Sequence, residues 1–445
     1  MFAVRRGILA NRFDVKNVLY QTVNHSTNLL KATLGSLTSE EPCYGTSATA
    51  VTRTDENQPK YIRITDFNDF GIEENHEYVT TDNYAEKHIL KPGDILFART
   101  GATVGKTYYY DGSIGKAVFA GYCIRFRFDE KKVFPKYVYW YTKTPAFLNW
   151  VNGIQRPSGQ PNINKEEYKS FEIILPDYET QKQLSDKLDI ALKQRNSMLE
   201  HTNELLTNQS NILLQYLNIV IDRFGSSLCS VVSLQDLKKD KTFNADYYHP
   251  ERLTAINSMK NNSLFRLSRL IDVVDFCRSI VNSSDANERY LGLSGVESQT
   301  GEFTGIKEDV SGQAFTYQSN DVLYGRLRPY LNKVHFAEQS GICSTEFHVM
   351  RVKNQKDLLP EYLAEIMRSD LILSQTKHMM TGNTHPRISN DDVKNLYIPI
   401  PDILLQQQII KVIRNRRTEA RKLKIEAEKE WQKAKKQFEK ELLGE

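Results

Sequence analysis

The sequence predicts an α+β protein with two related globular domains, each followed by a long helix, and the two helices pack as an antiparallel coiled coil. Three observations carry this prediction: an internal duplication, short strand-like segments mixed with helices in each half, and two long proline-free amphipathic stretches. With 445 residues, 40% of them hydrophobic and 26% charged, the chain can bury more than one core. We place the domain boundaries at 1–177, 178–224, 225–401 and 402–445.

The duplication is clearest in a glycine-rich segment of the first half. GDILFARTGATVGK, which starts at Gly93, aligns without a gap with NDVLYGRLRPYLNK, which starts at Asn320. The alignment pairs one acidic and two basic positions: Asp94 with Asp321, Arg99 with Arg326, and Lys106 with Lys333. A repeat of this kind indicates duplicated domains.

Two further blocks repeat in the same order. Their matched residues are Pro135, Tyr137, Pro161, Ile163, Pro176, Asp177 and Gln181 in the first half, and Pro360, Tyr362, Pro386, Ile388, Pro401, Asp402 and Gln406 in the second. A proline before an apolar periodic run predicts a helix start in both halves. Upstream of these blocks only Tyr61 and Tyr290 match, and loosely. DILFA, CIRFRF, DVLYG and FHVMRV predict short strands.

Each half ends in a long amphipathic segment. The first, Gln181 to Phe224, repeats apolar residues every seven positions, and the second, Gln406 to Leu443, repeats them at three- and four-residue steps. Each stripe could pack on its own domain. Helices of roughly 40 residues are about 60 Å long, which exceeds what a small domain covers, so we expect them to pack against each other. The stripes are Leu184, Ala191, Met198, Leu205, Ile212 and Ile219, widened by Leu192, Leu199, Leu206, Leu213 and Val220, and then Ile409, Ile413, Ala420, Leu423, Ala427, Trp431, Ala434, Phe438 and Leu442.

Taken together, GDILFARTGATVGK, the SGQPNIN turn, LPDYETQ and RLRPYLNK with its IPIPD exit resemble the specificity (S) subunit of type I restriction-modification systems. The resemblance runs from about Tyr61 to the C-terminus. It departs from the commonest pattern at Tyr178 and Thr180, which flank a glutamate, and at Leu405, which replaces an acidic residue before Gln406. These departures leave partner docking less defined than the fold.

The resemblance implies two target recognition domains, which each read one part of a bipartite, asymmetric site in double-stranded DNA. The helices would set the spacing and dock methyltransferase (M) subunits, two of them, with restriction/motor (R) subunits bound through these. S-adenosylmethionine, ATP and Mg²⁺ would be used by the partners, and this chain would have no cofactor and no catalytic site. No apolar run is long enough for a membrane span or a secretory signal, so we expect a cytoplasmic protein.

Candidate DNA contacts are polar and basic side chains of the repeated turns and of Arg156–Asn162 and Thr381–Arg387. Arg can pair with guanine, and Asn or Gln with adenine. For Arg99 and Arg326, a structural role inside each domain is an equal alternative. For the loop residues, the alternative is an ordinary surface turn without a DNA contact. The candidates are Arg63, Thr65, Arg99, Thr100, Thr103, Lys106, Arg156, Ser158, Gln160, Asn162, Arg326, Arg328, Lys333, Asn383, Thr384, His385 and Arg387.

Two other functions compete with this hypothesis. Gly101 to Thr107 resembles a phosphate-binding loop and would suit a phosphotransferase, but it has three residues between its glycines where that loop needs four. A coiled-coil adaptor without DNA affinity is the second. The basic segment Lys411 to Lys440 fits a solvated face, a phosphate contact or a docking surface. The dispersed histidines and the cysteines without a CxxC pair predict no metal site.

Overall fold

The computed structural model describes residues 30–72, 76–154, 161–221, 231–240, 243, 245–260, 265–282, 290–306, 308, 312–382 and 384–443. The chain divides into two compact units, residues 1–196 with 427–445, and residues 197–426. Each unit therefore contains part of each long helix. Within the described ranges no helix is both long and apolar enough to cross a membrane. Four of the candidate residues lie outside these ranges: Arg156, Ser158, Gln160 and Asn383.

A four-stranded antiparallel sheet with the order β2-β9-β6-β7 forms the centre of the first unit. Its strand β6 is buried along its whole length, as expected for an apolar run flanked by turns. β4 and β8 pair in parallel, whereas β1 with β10 and β3 with β5 pair antiparallel. The strands are β1 (Lys31–Thr33), β2 (Cys43–Tyr44), β3 (Val51–Thr52), β4 (Lys60–Ile62), β5 (Val79–Thr80), β6 (Ile95–Ala98), β7 (Thr107–Tyr109), β8 (Ala117–Phe119), β9 (Cys123–Phe126) and β10 (Glu172–Ile174).

Three short helices cover this sheet: α1 (Pro135–Tyr141), α2 (Pro145–Ile154) and α3 (Lys165–Lys169). Pro135 occupies the first turn of α1, where a missing N–H costs nothing. Aromatic side chains from the helices meet those of the sheet, as where Phe97 lies 5.0 Å from Tyr168 and 6.3 Å from Phe147 between ring centroids. The core of the unit is therefore rich in aromatic pairs.

The first long helical segment consists of α4 (Tyr178–Thr207) and α5 (Gln209–Tyr216), which are separated at Asn208. The sequence predicts one helix that continues to Phe224, and the structure differs. Asn218 adopts φ = +51°, its N–H donates to the carbonyl of Gln215 at 3.0 Å, and the N–H of Ile219 donates to that of Leu214 at 2.9 Å. This hydrogen-bond pattern is a Schellman motif and ends the helix.

The second unit repeats the four-stranded sheet, here with the order β12-β19-β16-β17. A second sheet has the order β13-β15-β18-β14, in which β14 and β18 are parallel. Two further antiparallel pairs are β11 with β22 and β20 with β21. The strands are β11 (Arg266–Arg269), β12 (Val274–Cys277), β13 (Ile280–Asn282), β14 (Tyr290–Leu291), β15 (Gln313–Tyr317), β16 (Val322–Gly325), β17 (Val334–Phe336), β18 (Gly341–Ser344), β19 (Phe347–Val352), β20 (Met380–Thr381), β21 (Arg387–Ile388) and β22 (Tyr397–Ile400).

Three helices of the second unit follow its four-stranded sheet in the chain, as three do in the first unit, and other helices precede it. They are α6 (Leu234–Asp240), α7 (Pro250–Lys260), α8 (Leu270–Val273), α9 (Pro360–Arg368), α10 (Asp370–Thr376) and α11 (Asn390–Lys394), and they are followed by the long α12 (Ile403–Leu443). Tyr61 in β4 and Tyr290 in β14 both lie in strands that pair in parallel, with β8 and β18 respectively. The structural repeat therefore extends upstream of the residues that align clearly in the sequence.

The residues matched by the repeat are buried anchors of the fold. Asp94 accepts hydrogen bonds from Arg127 at 2.7 and 2.8 Å, and Asp321 accepts them from Arg351 at 2.8 and 2.7 Å. Each carboxylate is fully buried and caps one backbone N–H as well. Bidentate pairs of this kind fix the hairpin geometry in both units.

Two more repeated side chains tie the end of each domain to its long helix. Gln181 accepts from the N–H of Phe134 and Gln406 accepts from the N–H of Leu359, both at 2.8 Å. Each glutamine also donates to the carbonyl of the proline five residues earlier, at 2.8 and 2.9 Å. A buried amide with both ends satisfied sets the direction in which the helix leaves the domain.

The long helices run antiparallel to each other in the first unit, and they are also in contact in the second. In the first unit Lys187 pairs with Glu441 at 2.7 Å and Arg195 with Glu428 at 3.7 Å, so that rising numbers on α4 meet falling numbers on α12. In the second unit Arg417 donates to the side chain of Gln209 at 2.9 Å. The antiparallel coiled coil predicted from the sequence is confirmed. Ile409, Ile413, Ala420, Ala427, Trp431, Phe438 and Leu442 of the predicted stripe are buried, whereas Val220 is exposed because it lies beyond the helix end.

Candidate nucleic-acid interface

Two candidate segments that are distant in sequence meet in the first unit. The N–H of Ile163 donates to the carbonyl of Arg99 at 2.9 Å, and the N–H of Gly101 donates to that of Pro161 at 3.1 Å. Thr100 and Asn162 form a β-bridge. We call residues 99–106 with 161–163 and the neighbouring Tyr44 and Tyr122 the first turn surface.

The same arrangement recurs in the second unit. The N–H of Ile388 donates to the carbonyl of Arg326 at 3.1 Å, and the N–H of Arg328 donates to that of Pro386 at 2.7 Å. Leu327 and Arg387 form the equivalent β-bridge. We call residues 326–333 with 384–388 and Glu346 the second turn surface. The structure therefore brings together, in each unit, candidates that the sequence places about sixty residues apart.

The glycines of the first turn are explained by backbone conformation. Gly101 and Gly105 adopt φ = +72° and +86°, and the aligned Arg328 and Asn332 adopt +49° and +51°. Both turns thus need two residues in the left-handed backbone conformation, which glycine adopts without steric cost. A Cβ at Gly105 would also come within 2.7 Å of Val151. Because the second copy keeps the turn without glycine, the glycines of the first copy are explained by the backbone conformation that both turns share.

Arg99 and Arg326 carry charges that no carboxylate within the described ranges neutralises at ion-pair distance. The guanidinium of Arg99 lies over the ring of Tyr44 at 4.8 Å, and that of Arg326 donates weakly to the carbonyl of Thr345 at 3.5 Å. The Nε atoms of both are buried, and no residue that the structure describes accepts a hydrogen bond from either. Each arginine therefore has donor capacity left for a ligand.

Other candidates of the first unit are partly occupied by contacts within the unit. Arg63 pairs with Asp66 at 2.8 Å, and the hydroxyl of Thr65 donates to the same carboxylate at 3.1 Å. Thr100 is buried, and Thr103 donates to its carbonyl at 3.3 Å. Lys106 and Asn162 keep accessible side chains.

In the second unit, some candidate side chains are held by contacts within the unit and others are exposed. Lys333 donates to the carbonyl of Leu293 at 2.7 Å, and partial burial lowers its pKa. Arg387 is held by Glu346 at 2.8 Å. Arg328, Thr384 and His385 are exposed. Arg328 therefore combines exposure, positive charge and an uncommon backbone conformation.

Three exposed tyrosines on these surfaces were missed by the sequence analysis. Tyr44 and Tyr122 are 37% and 60% exposed, and Tyr330 is 41% exposed. Tyr44 and Tyr122 flank Arg99, whose N–H donates to the carbonyl of Tyr122 at 3.0 Å. They lie outside the repeated blocks, so no motif pointed to them, whereas Tyr330 sits inside RLRPYLNK and could have been selected.

The two surfaces differ at positions that the fold makes equivalent. Arg99 donates its N–H to Tyr122, and Arg326 donates its own to Glu346 at 2.8 Å. The β-bridge partner is Asn162 in the first unit and Arg387 in the second. An exposed tyrosine and an amide thus stand where the second unit has an ion pair, on the same backbone.

Three arginines of the basic C-terminal segment pair with carboxylates of the second unit. Arg417 and Arg421 both pair with Glu302, the second of them at 2.7 Å, and Arg414 pairs with Glu361. Burial lowers the pKa of Arg417 to about 10. Arg417, with a side chain 15% exposed, holds α12 to its domain, a role that the sequence did not predict, whereas the side chains of Arg414 and Arg421 are 65% and 60% exposed and fit the solvated face.

Comparisons with known proteins find a matching family model and a similar relative. The family model described as type I restriction modification DNA specificity domain matches residues 45–208 and 268–428. The specificity subunit of the type I restriction enzyme EcoDI from Escherichia coli is 21% identical over 289 residues, which cover 62% of this chain and 61% of that relative. The chain thus aligns with less than two thirds of the relative's length.

Comparison with solved structures finds a match to the S subunit of the type I restriction-modification system from M. genitalium (13% identical, TM-score 0.47, 94% of this chain and 97% of that one). The HsdS subunit from Thermoanaerobacter tengcongensis is also 13% identical, with a TM-score of 0.37 and coverage of 94% and 96%. A chain from a structural study of assembly and conformational transition in the type I R-M system has 13% identity, a TM-score of 0.49 and coverage of 94% and 98%. Since the two segments matched by the family model make up most of the sequence, each with its own turn surface, this chain belongs to the type I restriction modification DNA specificity domain family, as its motifs predicted.

Proposed function

We propose that this chain is the DNA sequence-recognition subunit of a type I restriction-modification complex and that each turn surface reads one half of a bipartite, asymmetric site. One observation carries the proposal: the two units repeat the same buried anchors and the same turn backbone, yet present different side chains at equivalent exposed positions. A repeated scaffold with divergent tips suits recognition of two different half-sites.

The chemistry of the first turn surface suits a base edge together with a phosphate. Arg99 is held in place by Tyr44 and has free donors, and Asn162 can present an amide to adenine. Tyr122 offers an exposed ring and hydroxyl. On the second turn surface Arg328, Tyr330 and His385 play these parts, because Glu346 already neutralises Arg387.

Partners complete the proposed complex. Two methyltransferase subunits dock along the coiled coil, restriction subunits bind through them, and the helices fix the gap between the half-sites. S-adenosylmethionine, ATP and Mg²⁺ serve those subunits, and this chain supplies recognition without catalysis. The complex works in the cytoplasm, where its DNA substrate lies.

Exchange of residues 1–177 for those of a relative with a different specificity tests modular reading. We expect methylome sequencing to show one half-site changed and the other, with the gap, retained. A simultaneous change of both half-sites would contradict the proposal.

Single substitutions test the turn surfaces themselves. In the complex with methyltransferase subunits, Arg99→Ala and Arg328→Ala should each weaken binding to the cognate duplex by about 1–3 kcal/mol. The matched controls are Lys132→Ala and Lys353→Ala, because these exposed lysines follow the opposite ends of β9 and β19. Equal losses in controls and test variants would show that only bulk charge matters.

Two measurements separate the alternatives. A coiled-coil adaptor predicts no mobility shift of cognate DNA at low salt by the chain with its methyltransferase partner. A phosphotransferase predicts stoichiometric ATP binding to the isolated chain, and we expect none, since three residues separate Gly101 from Gly105 where a phosphate-binding loop needs four.

A further inference from the structure

A cluster of two histidines and one glutamate lies in the second unit, away from the turn residues in sequence. His249 caps the N-terminus of α7, where its carbonyl accepts the N–H of Leu253 at 3.1 Å, and Glu251 stands in the first turn of this helix. His378 follows α10 by two residues. Each residue offers one ligand atom, an imidazole nitrogen from each histidine and a carboxylate oxygen from Glu251, and these three atoms all lie within 4.8 Å of one another.

We propose that His249, Glu251 and His378 bind a divalent first-row transition metal, with zinc as the best match, and that the ion clamps α7 to the end of α10. Two imidazole nitrogens and a carboxylate oxygen are a donor set that zinc favours, with bonds of about 2.0–2.2 Å and a fourth position left for water. This inference does not depend on the proposed function.

The three side chains need only a small rearrangement to surround an ion. Nε2 of His378 lies 2.7 Å from Oε2 of Glu251, and the two imidazole rings stack with centroids 3.4 Å apart and planes 14° apart. Tetrahedral ligands at these bond lengths stand about 3.3 Å from one another. One imidazole must therefore rotate so that both lone pairs point to a single ion. The nitrogen of His378 and the oxygen of Glu251, now 2.7 Å apart, must separate by about 0.6 Å, and donors at the 4.8 Å limit must approach by about 1.5 Å.

The backbone around the cluster is already held in position. Ile256 and Met259 of α7 share a buried apolar cluster with Leu371 and Ile372 of α10, so the two helices are packed before any ion binds. The competing cation is Lys377, which approaches Glu251 at 3.4 Å and has a side chain 51% exposed. It can move into solvent when an ion binds.

Zinc titration of the chelator-treated, untagged full-length chain tests the proposal. We expect one equivalent of Zn²⁺ by calorimetry and a Co²⁺ derivative with the visible absorption of a tetrahedral site. His249→Ala and His378→Ala should each weaken binding by about tenfold or more. His201→Ala, which removes an exposed histidine of α4, is the matched control and should bind like the parent chain.

Lys377→Ala supplies a second test with the opposite sign. Because it removes the cation that competes for Glu251, it should tighten zinc binding, and its circular dichroism should match that of the parent chain. The proposal is overturned if the parent chain binds no stoichiometric zinc, or if both histidine variants bind as well as the parent. It is also overturned if Lys377→Ala weakens binding while the fold is intact.

Discussion

Residues at equivalent positions of the two units are of two kinds. We call the buried residues that hold the fold anchors, and the exposed residues of the turn surfaces tips. Asp94 and Asp321 are buried, and each pairs with an arginine of its own unit, Arg127 and Arg351 respectively. Gly101 and Arg328 share a left-handed backbone conformation but not a side chain. A non-glycine residue pays for this conformation by roughly 1 kcal/mol, so an arginine there indicates that its side chain is needed.

Arg328→Gly should therefore separate stability from binding. The substitution relieves the left-handed strain, so we expect the thermal unfolding midpoint to stay equal or to rise, by up to about 1 kcal/mol of unfolding free energy. Affinity for cognate DNA should fall at the same time. Calorimetric melting and a filter-binding titration measure the two effects, and a loss of stability would mean that Arg328 is an anchor.

His348 makes the stability of the second unit pH-dependent. Burial, followed by the charges of Arg326 and Arg278, lowers the pKa of His348 from its usual 6.5 to about 3. Between these values the unfolded chain binds a proton that the folded chain does not, so stability should fall as the pH falls from 6.5 towards 4, by about 1 kcal/mol per unit.

His348→Gln should flatten this dependence. Its melting midpoint at pH 7 and at pH 4.5 should differ by less than that of the parent chain, whereas His201→Gln, which changes an exposed side chain, should leave the parent's difference intact. An unchanged difference in His348→Gln would show that other groups control the acid response.

At the scale of elements, single residues decide where a helix ends, and the apolar periodicity of the sequence does not identify these residues. The apolar repeat continues past Tyr216, yet α5 stops there because Asn218 turns the backbone into the left-handed region. Gln181 and Gln406 act in the same local way where the helices begin. Side-chain and backbone hydrogen bonds thus decide where each rod starts and stops.

Substitutions at Asn218 test the helix end. Asn218→Gly should stabilise the second unit, and Asn218→Ala should destabilise it by about 1 kcal/mol, because alanine adopts positive φ at a cost. Chemical denaturation measures both, with Asn211→Ala in the interior of α5 as a control for helix propensity. Equal effects of glycine and alanine would contradict the capping role.

At the scale of the whole molecule, the duplication supports the proposal that one chain reads an asymmetric site. The family model matches two separate segments, and each compact unit contains one turn surface. Arg99 and Arg328 belong to different units, and among the residues that the structure describes they share no side-chain partner. Effects at independent sites of this kind add.

The double variant Arg99→Ala/Arg328→Ala should therefore lose the sum of the two single losses in DNA binding free energy, within about 0.5 kcal/mol. The slope of log affinity against log salt should become shallower by about one for each arginine that contacts a phosphate. Gel-shift titrations at several salt concentrations measure both. A double variant no weaker than either single one would mean that the two surfaces act as one.

By itself the sequence determined the duplicated architecture, the paired long helices, the family and the turns that hold most described candidates. These follow from periodicity and from anchors such as Asp94 and Gln181, whose burial keeps their spacing alike in both halves. Only the tertiary structure decided that Arg387 and Arg417 are neutralised by glutamates, that Tyr44 and Tyr122 flank Arg99, and that His249 meets His378. Such pairs join residues far apart in the chain and leave no local pattern, because their geometry arises from packing between elements rather than within one.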